Sequence, residues 1–178
     1  MTWLNRLFGG AKDMTALREG TKAPDFSLLA LDGSTFSLQT ALQQGPVLAA
    51  FFKVSCPVCQ YTFPYLERLH KAYGSQKVAI VGISQDDKPV TTAFLKEYGV
   101  TFPVLLDNPA GYAVSNAYGL TNVPSLFLIE PDGEIQISSV GWVRADVETL
   151  NRRLADANQT ATRRLFLPGD DVRDVRPG

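Results

Sequence analysis

An α/β domain with one central mixed sheet and helices on both faces is what this sequence predicts, and three observations predict it. Two runs, 46–54 (PVLAAFFKV) and 77–84 (KVAIVGIS), are apolar almost without a break over strand length, as strands covered on both faces must be. Segments with helical spacing of apolar residues alternate with the strand-like ones, which implies crossover connections in one sheet. The series closes at 125–141, SLFLIEPDGEIQISSVG, where two strand-like stretches flank the turn residues Pro131, Asp132 and Gly133.

Taken in chain order, residues 1–20 are expected to form an N-terminal extension, polar and loosely held. Within it Trp3, Leu4, Leu7 and Phe8 share one side of a possible short helix, too short to bury much. The domain proper is expected over 21–160. PDFSLLALDGSTFSL alternates around Asp32-Gly33, a hairpin signal. The run at 46–54 is the first buried strand. Residues 57–73 form a helix with Leu66, Leu69 and Tyr73 on one stripe, ending at Gly74. The strand at 77–84 leads into a helix in DDKPVTTAFLKEYG, with aspartates and a proline at its start and glycine at its end. FPVLLD (102–107) is a short strand, AGYAVSNAYG a short helix, and 125–141 a hairpin. Residues 145–159 are a closing helix that buries Val147, Leu150 and Leu154. The tail, 161–178, is expected to be disordered or draped over the surface.

Composition narrows the function. Of 178 residues 45% are hydrophobic and 20% charged, ordinary proportions for a globular domain. A net charge of -1 offers no field to gather nucleic acid or anionic lipid. The first twenty residues lack the apolar run of a secretory signal or a membrane span, so a cytoplasmic chain is expected. A leader removed beforehand would make it periplasmic or membrane-associated.

The chemistry lies in FFKVSCPVCQYTFP (51–64), which holds both cysteines of the chain. Cys56 closes a buried strand and opens a helix, where free backbone N–H groups and the positive end of the dipole favour thiolate over thiol. Cys59, one turn on, is placed to attack a mixed disulfide formed by Cys56. Pro57 suits the first helical turn, having no N–H to leave unpaired. A structural zinc site needs four ligands, and the sequence has two cysteines and one histidine. His70 lies about 21 Å from Cys56 along a helix, which leaves it a surface helix position. Two inert buried thiols would be the plain alternative. Lys53, three residues before Cys56, either adds positive potential or is a solvated strand-end lysine. Arg144 reads as a surface residue at a helix start. Tyr61 and Phe63 either rim the site or belong to the core.

This segment resembles the active-site segment of thioredoxin-fold proteins, most closely the TlpA-like and redoxin (AhpC/TSA-related) branch. Pro64, five residues after Cys59, matches the helix proline of that segment. VGISQDDKPVTTAFLKEYGVTFPVLLD resembles the strand–helix block that the branch inserts, and YGLTNVPSLFLIEPDGEI the family's G-x-x-x-V-P segment. The resemblance covers roughly residues 20–155. It implies a thioredoxin-like fold with an N-terminal hairpin, a cis Pro124 facing the cysteines, and a substrate surface of Val123, Pro124, Pro57 and Val58. Val123 would offer free backbone polar groups to an extended partner.

Departures from the pattern bear on mechanism. Ser55 stands where a tryptophan often precedes the first cysteine, Ala50 where thioredoxin has a buried aspartate, and Thr62 where related reductases carry an acid. The proton of Cys59 then passes to water or to an acid from elsewhere in the chain. The reaction expected is two-electron exchange between the Cys56–Cys59 dithiol and a disulfide on a protein or small molecule. It needs no metal or organic cofactor, and a separate donor or acceptor resets the pair. A thiol peroxidase of the peroxiredoxin kind is one rival, although Lys53 stands where that family has a threonine. A non-enzymatic module that senses oxidation is the other.

Overall fold

The structure, a computed structural model, describes residues 15–75 and 77–178. The stripe of Trp3, Leu4, Leu7 and Phe8 lies outside the described residues. A hairpin of β1 (Ser27–Leu29) and β2 (Thr35–Ser37) leads into the short α1 (Leu38–Leu42). There follow β3 (Val47–Phe52), α2 (Pro57–Tyr73), β4 (Ala79–Ser84), α3 (Lys88–Tyr98), β5 (Val104–Leu106) and α4 (Ala113–Ala117). The chain ends with β6 (Ser125–Ile129), β7 (Ile135–Val140), β8 (Trp142–Val143), α5 (Arg144–Ala157) and β9 (Val175–Arg176).

The main sheet has the order β5-β4-β3-β6-β7. β3, β4 and β5 run parallel, joined through α2 and α3, and β6 and β7 complete the sheet antiparallel. Its centre is β3, buried at every residue, which is why that stretch reads as uniformly apolar and not alternating. Alternation survives in the partition of faces. Leu48, Ala50 and Phe52 point into a core shared with α2, α3 and α5, whereas Val47, Ala49 and Phe51 meet Phe26, Leu38 and Tyr118 on the other side. On β6, Leu126 and Leu128 take the first face and Phe127 and Ile129 the second.

Turn chemistry fixes both hairpins. At each, an aspartate accepts a backbone N–H two residues on, Ser34 N–H to Asp32 Oδ1 and Glu134 N–H to Asp132 Oδ1, both at 2.9 Å. The helix after β4 starts where Asp87 Oδ1 accepts from Val90 N–H and stops at Gly99, whose φ of 64° is the left-handed cap. Gly119, in the G-x-x-x-V-P segment, combines a φ of 66° with a close approach; a Cβ there would stand 2.5 Å from the Thr15 carbonyl oxygen.

Two expectations need correcting, and a third resolves to one of its alternatives. Residues 15–20 are not loosely held. Leu17 N–H donates to Tyr118 O, Gly20 N–H to Ile135 O, and Ser138 Oγ–H to Leu17 O, so this stretch is tied to β7 and the end of α4. The tail is draped and ordered, with no disordered portion among its residues. Leu165 is buried in the α2–α5 core, Trp142 Nε1–H donates to Arg173 O at 2.6 Å, and β9 pairs with β8. Arg68 on α2 grips Asp170 with both terminal nitrogens, at 2.5 and 3.0 Å. That guanidinium, with the Leu167 N–H, holds the Asp170 carboxyl down at about 2. His70 is half-buried and not on the surface, because its ring lies against Gly74 and turns edge-on to Phe102.

Leu165→Ala is expected to lower stability by about 2 kcal/mol, read as a reduced urea midpoint with an unchanged slope. An unchanged midpoint would mean that the tail folds and unfolds apart from the domain.

Candidate active site

All the groups of interest collect at one edge of the sheet. The carboxyl ends of the parallel strands β3 and β4 deliver Lys53–Cys56 and Gln85–Asp86, and the antiparallel β6 begins there, preceded by Val123 and Pro124. This is the edge at which open α/β sheets present their ligand sites.

Cys56 is the N-cap of α2. Its backbone is extended, and its sulfur accepts the Cys59 backbone N–H at 3.2 Å, so a sulfur fills the role that a Ser or Asp oxygen fills in other helices. Pro57 occupies the first helical turn, as expected. The Val123–Pro124 bond is cis, and the Val123 carbonyl turns toward the cysteines, accepting from Cys56 Sγ–H at 3.3 Å. Cys56, Cys59, Val123 and Pro124 are therefore brought together, with exposed Pro57 and half-buried Val58 between the sulfurs.

The cysteines differ in environment. Both are free thiols; Cys56 is partly exposed and Cys59 wholly buried. Burial pushes the Cys59 thiol far above the ordinary range, and its hydrogen bond to the Cys56 sulfur and the negative charge of Asp86 push the same way. The backbone of Lys53 acts in the opposite sense. Cys56 is thus the more accessible of the two sulfurs, with Cys59 buried beneath it.

Asp86 is the carboxylate that inspection of the cysteine segment missed. It is half-buried, and its Oδ2 accepts the Val54 N–H at 2.8 Å, which anchors it to the loop between β3 and Cys56. The Val54 carbonyl in turn accepts from Gln60 Nε2 at 2.9 Å. Its only signal in the sequence was the pair Asp86-Asp87 ahead of α3, where two acids read as helix-start residues. One of them caps the helix; the other faces the site.

One expectation changes. The Val123 carbonyl is not free for a partner, since it holds the Cys56 thiol and Gly178 packs on it; a Cβ on Gly178 would lie 2.5 Å from that oxygen. Lys53 lays its ammonium over the Tyr112 ring, 5.5 Å from the centroid. Tyr61 and Phe63 divide. Phe63 is core, and Tyr61 stands edge-on to Trp142 with its hydroxyl bonded to Asp171 O and Arg173 N–H of the tail. Arg144 does open α5, paired with Glu148.

Comparison with known proteins agrees with this geometry. The AhpC/TSA family model matches residues 20–138. The thiol-disulfide oxidoreductase ResA of Bacillus subtilis is 33% identical over 135 residues, covering 75% of this chain and 72% of the relative. The thioredoxin-like protein YneN of the same organism is 32% identical over 135 residues, covering 74% and 76%. Among solved structures, a putative thiol:disulfide interchange protein DsbE from Chlorobium tepidum superposes with a TM-score of 0.70 at 27% identity, covering 80% of this chain and 99% of that one.

A raised thiol pKa stabilises the fold only while the unfolded chain also keeps that thiol neutral. The contribution of Cys59 is full below about pH 8.5 and is lost as pH climbs past it toward the folded value. Above pH 9 the reduced protein should lose up to about 1.4 kcal/mol per pH unit more than Cys59→Ala loses, measured by denaturant unfolding. Parallel slopes for the two proteins would show that Cys59 ionises freely.

Proposed function

The chain belongs to the AhpC/TSA family and is a thiol–disulfide oxidoreductase; from that premise we propose that its exchange runs through Cys56 as attacking sulfur and Cys59 as resolving sulfur. The observation that carries this assignment is the difference in access between two sulfurs one helical turn apart. Ionised Cys56 attacks one sulfur of the partner's disulfide, forming a Cys56–partner bond and releasing the other partner sulfur as thiolate. Cys59 then gives up its proton and attacks the Cys56 sulfur. The intramolecular disulfide forms, and the second partner sulfur leaves as thiolate. Two electrons pass from dithiol to disulfide, and the reverse sequence oxidises a partner dithiol.

Ionisation of Cys56 also alters the Val123 carbonyl. A thiolate has no proton to donate, so the carbonyl regains a lone pair for a partner's backbone N–H beside Pro124. Substrate-binding roles for Val123, Pro124, Pro57 and Val58 follow from this, with the residues at the end of the tail yielding as an extended segment enters.

Asp86 is our candidate for the group that takes the Cys59 proton, directly or through one water. It is the acid whose charge reaches that thiol, and its anchorage on Val54 keeps it on the loop that carries the pair. A threonine at 62 and an alanine at 50 leave this role open.

Among the described residues no helix is long and apolar enough to cross a membrane. Thiol trapping of the pair in intact cells reads the compartment, a reduced pair fitting the cytoplasm and an oxidised pair an oxidising compartment.

Cys56→Ser is expected to abolish reduction of a small neutral disulfide, whereas Cys59→Ser should accumulate a mixed disulfide at Cys56, seen as an added mass. Exchange undiminished in Cys56→Ser would refute the assignment. For Asp86→Asn, resolution of the mixed disulfide should slow about tenfold or more and its dependence on pH should flatten. Faster resolution would show that the carboxylate merely opposes ionisation of Cys59.

A further inference from the structure

Beside the cysteines lies a cavity of about 290 Å³ that the exchange reaction as described does not use. Lys53, Gln85, Tyr112, Ser115, Asn116 and Asn122 line it, and Val123 closes it on the side of the active site. Val123 is the residue whose carbonyl holds the Cys56 thiol, so the cavity begins one residue from the attacking sulfur. Lys53 and Cys56 are the two ends of one turn, with Cys56 N–H donating to Lys53 O at 3.3 Å.

Its charge is one-sided. Among the described residues no aspartate or glutamate lines it, and Lys53 is its one cation. None of the ion pairs among the described residues involves Lys53. The nearby acids point elsewhere. Asp107 is buried beneath α4, accepting from Val114 N–H, Ser115 N–H and Ser115 Oγ–H, and Asp86 faces Val54. Tyr112 carries the lysine. It adopts left-handed angles, φ 48° and ψ 47°, a conformation rare for a bulky residue, and presents its ring to the ammonium.

Three of the remaining lining groups are primary amides, which can donate as well as accept. Gln85 Nε2 donates to Ser115 Oγ, Asn116 Nδ2 to Gly111 O and Asn122 Nδ2 to Gly178 O, which leaves each primary amide a second N–H. A polar recess with one cation, spare N–H groups and no anion matches a carboxylate.

We propose that this cavity receives a carboxylate carried by the disulfide substrate, with Lys53 as its counter-ion and Tyr112 as the platform that holds Lys53 in place. The inference rests on the assignment of Cys56 as attacking sulfur and adds a substrate class to it: disulfides with an acidic group close to the sulfur. The acidic group belongs either to a small molecule or to a side chain beside a peptide disulfide. In both cases it fills the recess as Cys56 meets the neighbouring sulfur.

The test measures oxidation of the reduced full chain by dithiodipropionate, 2-hydroxyethyl disulfide and cystamine, which are anionic, neutral and cationic. A second arm uses two disulfide-linked peptides that differ only by Glu or Gln next to the cysteine. The anion-to-neutral rate ratio is expected to fall about tenfold in Lys53→Gln, to be retained in Lys53→Arg, and to favour cystamine in Lys53→Glu. Lys77→Gln, which removes the same charge at the opposite end of β4, should leave the ratio unmoved. A response to the small anion alone identifies a small-molecule disulfide, and a response to the glutamyl peptide a peptide one. Ratios equal in wild type and Lys53→Gln in both arms, or shifted as much by Lys77→Gln, overturn the proposal. Exchange with the neutral disulfide separates the two claims, since its absence in wild type would defeat the assignment of Cys56 itself.

Discussion

One sulfur ties the site together. Cys56 ends the loop from β3, caps α2 by accepting the Cys59 N–H, and donates to the Val123 carbonyl ahead of β6. Those bonds join the centre of the sheet, the helix that covers it and the cis segment of the neighbouring strand. The arrangement follows from local requirements. A helix start needs an acceptor for its free N–H groups, and a strand buried on both faces delivers the chain to that point without slack. A residue that meets both requirements and is also a nucleophile gains its reactive position from the fold itself.

The same architecture sets the cysteines against each other. Residues of α2 that face the sheet must be buried, and Cys59 belongs to that face with Thr62, Phe63 and Leu66. Its thiol is therefore held toward the protonated form, and the resolution step proposed above draws on a base from outside the helix. Asp86 follows the next parallel strand, β4, and reaches the loop that carries the pair. The hydrogen bond from Val54 keeps that carboxylate partly desolvated and aimed at the loop.

What the sequence disclosed and what it hid divide along a physical line. Long apolar runs at 46–54 and 77–84, Asp-Gly turns, and a proline and glycine bounding α3 all act through side-chain preference, and each marked its element. The short helix Leu38–Leu42 is barely one turn beyond its Ser37 cap, too brief for periodicity to register. β8 and β9 are held by backbone pairing, which charged residues such as Arg176 do not advertise. The tail looked free because its composition is polar, yet Leu165 and Phe166 are apolar anchors within it, and Tyr61 and Trp142 were waiting for its carbonyls. Asp86 was hidden by its neighbour, since only three-dimensional packing tells which of two adjacent aspartates caps a helix.

Order in the tail has a consequence for access. Residues 171–178 cover the ground beside Cys56 that Tyr61, Trp142 and Val123 would otherwise expose. Arg173 N–H bonds the Tyr61 hydroxyl, Arg176 stacks 4.6 Å over the Tyr61 ring, and Gly178 rests on Val123. The recess at Lys53 borders the same Val123, and none of the described residues fills it. A disulfide approaching Cys56 thus meets protein already in place along the tail and open polar space at the lysine. Where one flank is occupied and the other is lined by one cation among the described residues, shape and charge favour the same approach. On the proposal of a carboxylate site there, substrate preference depends on Lys53 and Tyr112 as well as on the cysteines.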